Sequence, residues 1–158
     1  MLPVERLQDI LDKQLLWISA ADSRLALVLP LSTAMLGALA ATAPKLTEWT
    51  LAGGIPASLA VLFLVLAIAF CSLAAFPRTH GPAGSIIFFE GIASRDLEKY
   101  RAQIDTADDA HYANDLIQQC HINAAIASAK FVWVKRSMRC LMLASIPWAI
   151  AIYVFYRS

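Results

Sequence analysis

Three long stretches of the chain carry no charged side chain. They are residues 25–44, 49–77 and 140–156, with lengths of 20, 29 and 17 residues. A helix needs about 20 residues to cross a hydrocarbon core ~30 Å thick, with a working range of about 17–25. Each stretch therefore predicts one transmembrane helix. The third is at the lower limit, but Arg139 and Arg157 at its ends can snorkel to the polar boundary. Trp148, Tyr153 and Tyr156 suit an interfacial anchor towards its far end. The second is longer than one span needs, and Gly53, Gly54 and Pro56 place the start of its regular part near themselves. Pro30, Pro56 and Pro147, one per stretch, are read as tolerated, because neighbouring helices re-satisfy the freed carbonyls, the alternative being kinks that move during gating.

Polar and apolar positions alternate differently elsewhere. Residues 4–22 place Val4, Leu7, Leu11, Leu15 and Ile18 at helical spacing with acids on the other side, predicting a helix that runs into the first span. Residues 95–105 read as a short charged helix capped by Ser94, with Asp96 in its first turn. After a turn at TADDA (106–110), one long helix is expected over about 110–156. Its apolar side carries Leu116, Cys120, Ala124, Ala127, Phe131 and Val134. SIIFF (85–89) follows Pro77, Gly81, Pro82 and Gly84, which would break a continuing helix. It is expected as a short extended or strand-like piece against the long helix, with Glu90–Gly91 turning the chain.

The predicted fold is an all-α membrane protein with three transmembrane helices and a cytoplasmic helical arm between spans 2 and 3. Residues 1–24 form a cytoplasmic lead-in helix and 25–77 a two-span hairpin. Residues 78–139 form the arm, and 140–158 the third span and C-terminus. Lys and Arg number three in 1–24, one in 45–48, eight in 78–139 and one, Arg157, beyond the third span. The positive-inside rule then places the N-terminus in the cytoplasm and the C-terminus outside.

Composition agrees. Hydrophobic residues are 59% of the 158, and charged residues 16%, against the usual about 45–50% and about 25%. A soluble domain of this size could not bury that much apolar surface. The net charge of +1 gives no bulk attraction to nucleic acid. Cys71, Cys120 and Cys140 are far apart and form no CxxC pair, so they read as small buried thiols. The first 24 residues carry seven charges and do not resemble a secretory leader, so the spans are expected to remain in the mature protein.

Candidate chemistry is sparse. No phosphate loop, GxSxG, HExxH or carboxylate pair on a recognisable scaffold is present, which argues against an enzyme. His111 and Asp115 share a helical face and Cys120–His121 follow, but a metal would need another ligand from elsewhere. Gln119, Asn123, Lys130 and Ser137 form one polar stripe along the long helix. A solvated face is the plain expectation. The alternative is ligand contact, because amides and ammonium groups read base edges and phosphates.

Several motifs together resemble the membrane effectors of the bacterial Pycsar antiphage system. They are Asp22-x-Arg24 where the first span begins, Phe88–Phe89 with Ile92 after the second span, and Gln119 followed eleven residues later by Lys130–Phe131. Arg24 stands where the family usually has lysine, and Ala124 where a serine is frequent. The resemblance implies a non-enzymatic effector without cofactors, in several copies in the inner membrane. It would respond to cyclic CMP or cyclic UMP made by a partner cyclase and impair the membrane, giving abortive infection. A monoanionic nucleotide needs a cation, and the candidates are Arg24, Arg78, Arg95, Lys99, Arg101 and Lys130. Arg24 and Lys130 are preferred because they match family positions, with Asp22 and Gln119 as pairing or base-reading groups and Phe89 as a stacking ring. A structural ion pair is the rival role for Asp22 and Lys130, and sealing a small juxtamembrane core is that of Phe88 and Phe89. The alternative function is a constitutive membrane scaffold or subunit whose arm binds protein and no nucleotide.

Overall fold

The computed structural model describes residues 3–45, 49–76, 81–82 and 84–157. Arg78, Pro77 and most of the 45–48 loop lie outside the described residues. Among the described residues five helices account for the regular structure: α1 Val4–Thr42, α2 Leu51–Ala75, α3 Phe89–Ala93, α4 Leu97–Thr106 and α5 Asp109–Arg157. No strand occurs among the described residues. Helices α1, α2 and α5 are each long and apolar enough to cross a membrane. All three continue through their prolines.

The chain divides into two compact units. One comprises Met1–Ala20 and Pro77–Ala129, the other Ala21–Phe76 and Lys130–Ser158.

In the second unit three helical segments pack as a bundle. Asp22 meets Lys130, and Met35 meets Trp148 through an indole N–H to carbonyl bond of 2.9 Å, so α1 and α5 run parallel here. Helix α2 runs against them. Its buried positions are Gly53, Ala57, Ala60, Leu64, Ala67, Cys71 and Ala74, which alternate four- and three-residue steps. That is a heptad seam, and its mostly small side chains bring backbones close. Gly53 shows the limit: a Cβ there would lie 2.8 Å from the Phe155 ring. The expected weak start of α2 is thus a packing requirement. The helix begins two residues earlier, at Leu51, where the Thr50 hydroxyl accepts from Gly53 N–H at 3.4 Å. Two apolar clusters fill the bundle, one around Leu25, Val28 and Val134 and one around Leu39, Ala60 and Phe155.

The first unit packs the start of α1 on the start of α5. Leu7, Ala113 and Leu116 are its buried centre, with Val4, Leu11, Ile87 and Tyr112 around them. Leu15, expected on the inward face, is exposed, and the half-buried position is Gln14. The inward line of α1 follows three- and four-residue steps through Leu7, Leu11, Gln14 and Ile18, and Leu15 falls one residue off it.

The connection to α5 departs from expectation. Glu90 and Gly91 do not turn the chain but lie inside α3. Phe88 is extended and N-terminal to that helix, and residues 86–88 are bends rather than strand. Ser94 ends α3, and the N-cap of α4 is Asp96. A helix here solves a polar problem that a lone strand cannot, since it pairs its own backbone groups without a neighbouring strand. The turn at TADDA is confined to Ala107–Asp108, where an Asp108 carboxylate oxygen accepts from His111 N–H at 2.8 Å.

Candidate functional site

The polar stripe of α5 is not a solvated face. Gln119 is 3% exposed, Asn123 is buried and Ser137 is fully enclosed, while Ala124, expected on the apolar side, is exposed. Within the first unit the inward positions are Ala113, Leu116, Gln119, Asn123 and Ala127, with Cys120 half-buried. The stripe coincides with the packing seam, so each of its members there must find a partner inside.

For Gln119 that partner is Ser85. Its hydroxyl donates to Asp115 Oδ2 at 3.0 Å and accepts from the Phe88 and Ile87 amides at 2.8 and 3.2 Å. Gln119 Nε2 also donates to it, at 3.2 Å. Asp115 Oδ2 accepts in turn from the Ile86 N–H at 2.8 Å. Arg95 donates to the Ser85 carbonyl at 2.8 Å, and the Tyr100 hydroxyl to the Ile86 carbonyl at 3.0 Å. Gly91 lets α3 approach closely, because a Cβ would sit 2.9 Å from the Ser85 carbonyl oxygen. An acceptor, Asp115, and a donor, Gln119, one turn apart on α5 thus fasten residues 85–88 to the long helix, and Arg95 and Tyr100 hold the carbonyls of Ser85 and Ile86. Sequence reasoning weighed Asp115 only as a metal partner of His111 and did not single out Ser85. The usable signal was the four-residue spacing of Asp115, Gln119 and Asn123, which continues the stripe.

The five candidate ligand residues divide between the units. In the second, Lys130 Nζ donates to both Asp22 oxygens, at 2.6 and 2.8 Å, and the Arg24 guanidinium lies 5.3 Å from the Phe131 ring centre. The Lys130 side chain is 16% exposed and that of Asp22 49%, so the pair is shielded on the lysine side. In the first, Gln119 is committed to Ser85, and Phe89 is exposed at the start of α3, its ring 4.6 Å from that of Phe88. Phe88, not Phe89, is the aromatic that packs inward, over Gly81. A separate groove of about 480 Å³ in this unit is bounded by Ile86, Tyr100, Ile104, Asp108 and Tyr112. Cys120 donates weakly to the Leu7 carbonyl, and burial pushes its thiol up from the ordinary value.

No curated protein and no solved structure matches the chain. The family model described as the Pycsar effector protein domain matches residues 6–156, nearly the whole length. The chain therefore belongs to the Pycsar effector family, and it is an antiphage defence effector of that cyclic pyrimidine nucleotide signalling system.

Proposed function

We propose that the protein is a non-enzymatic effector that binds cyclic CMP or cyclic UMP made by its partner cyclase and then impairs the inner membrane, ending growth of the infected cell. The family match over residues 6–156 carries this reading. The three long apolar helices supply the means of acting on a bilayer. Three spans are too few to enclose a wide pore, so the active form is a homo-oligomer. A face of α1 favours that assembly: Ala34, Gly37, Ala38 and Ala41 are exposed, and nothing lies within 4 Å of a Cβ built on Gly37.

In this reading Arg24 and Lys130 supply the cations for the phosphate. Lys130 leaves Asp22 to do so, which makes the ion pair a resting contact that the nucleotide replaces. In the other unit Gln119 is already held by Ser85, and neither it nor Phe89 is needed for this phosphate contact.

Isothermal titration of the detergent-purified protein with cyclic CMP, cyclic UMP, cyclic AMP and cyclic GMP tests the proposal. Saturable binding of one pyrimidine nucleotide is expected. Lys130→Ala is expected to abolish that binding with helical content unchanged, and undiminished affinity in the variant would remove Lys130 from the site. A folded protein that binds none of the four nucleotides would instead be a constitutive membrane scaffold.

A further inference from the structure

Opposite its buried seam in the second unit, α5 presents three basic side chains on one face. Lys135, Arg136 and Arg139 are all exposed, and the four- and three-residue steps to Arg139 place them side by side. One turn further along the same face the surface becomes apolar: Met142 is 72% exposed and Ile146 71%. A single strip thus reads as a cationic turn followed directly by an apolar one. That is the order of chemistry along an anionic phospholipid, with its phosphate at the polar boundary and its acyl chain beneath.

Among the described residues of its unit, no acid faces the strip without a partner of its own. Among the described residues of that unit the acid is Asp22, and both of its oxygens are held by Lys130. The Arg136 guanidinium lies 4.6 Å from the Trp133 ring centre, and Trp133 stacks on Phe70 at 5.7 Å. A guanidinium steadied by an indole fixed to α2 suits a headgroup boundary, where Trp and Arg both concentrate.

We propose that this strip binds the headgroup of an anionic glycerophospholipid, with Lys135, Arg136 and Arg139 taking the phosphodiester and the face beyond them receiving an acyl chain. The inference rests on α5 crossing a membrane and not on the nucleotide. A cyclic nucleotide carries the same phosphodiester monoanion, but it has nothing to lay along Met142 and Ile146. Basic residues that merely set orientation during insertion need show no lipid preference in the purified protein, so the two roles separate by measurement.

The full chain, purified in detergent, is titrated with phosphatidylglycerol or with phosphatidylcholine of the same acyl chains, and bound lipid is counted by native mass spectrometry. Phosphatidylglycerol is expected to bind about tenfold tighter, a preference that weakens as salt rises. Lys135→Gln, Arg136→Gln and Arg139→Gln together are expected to erase it, whereas Arg136→Lys with Arg139→Lys keeps it. Excess cyclic CMP leaves the bound lipid in place. Equal affinity for the two lipids, selectivity that survives the triple substitution, or displacement of the lipid by cyclic CMP overturns the proposal. Should the triple variant lose its helical signal, Arg139→Gln alone and the two arms on the unmodified protein still decide.

Discussion

Asp115 is a buried acid whose role is structural: it takes the Ser85 hydroxyl and the Ile86 N–H on one oxygen. Asp115→Ala would leave that amide buried without a partner, which costs about 1–3 kcal/mol. Hydrogen exchange at Ile86, Ile87 and Phe88 is expected to quicken while exchange in α2 stays unchanged. Asp115→Asn keeps an acceptor oxygen and is expected to fall between. Uniform quickening across all helices would show that the Ser85 network is not a local fastening. Cys120 offers a second measurement at this scale. Burial raises its thiol pKa, so less thiolate is present at a given pH than for a free cysteine. In a Cys71→Ala, Cys140→Ala background its alkylation is expected to be slow at pH 8. The gap to a free thiol should narrow as pH rises through the raised value. A rate matching free cysteine at pH 8 would mean that the Cys120 side chain is open to solvent.

The long helices were legible because their apolar periods are long and nothing between Lys130 and Ser145 would stop the last of them; the observed α5 begins at Asp109 and continues through Pro147. The smaller features were not, for two physical reasons. Reading polarity as exposure put Gln119 and Asn123 in solvent, yet they lie on the heptad seam and are paired or enclosed there. The extended piece expected after the prolines and glycines of 77–84 stops at Phe89, where α3 begins, because no neighbouring strand exists among the described residues to pair it. Of the five candidate ligand residues, sequence placed Asp22 and Lys130 as an ion pair in one of its two readings, and the pair is present. The small-residue face of α1 yields a prediction about the element itself. Gly37→Leu points into open space within this chain, so the protomer is expected to keep its helical content. Cross-linking of the membrane-embedded protein should, however, lose its higher bands. Unchanged cross-linking would assign assembly to another face.

For the whole chain, the orientation of the three apolar helices follows from charge distribution. Eight of 13 Lys and Arg residues fall in 78–139 and three in 1–24, against one in 45–48 and one at Arg157. Three crossings place the two ends on opposite sides, so the N-terminus and the 78–139 arm are expected in the cytoplasm and the C-terminus outside. A cytoplasmic arm would also put the candidate Lys130 where a cyclase product accumulates, which joins orientation to the proposed function. Fusions decide the matter: alkaline phosphatase at the C-terminus is expected to be active and green fluorescent protein there dark, with the reverse at the N-terminus. Lys135, Arg136 and Arg139 supply three of the charges behind this expectation. Their joint replacement by Gln reduces the basic bias of the arm from eight to five, still above the single Lys45 in the opposite loop. Orientation is therefore expected to survive a substitution that erases lipid preference. If the C-terminal phosphatase signal were lost in that variant, topogenic and lipid-binding roles of the three residues would be inseparable in cells, and the purified protein alone would report on the second.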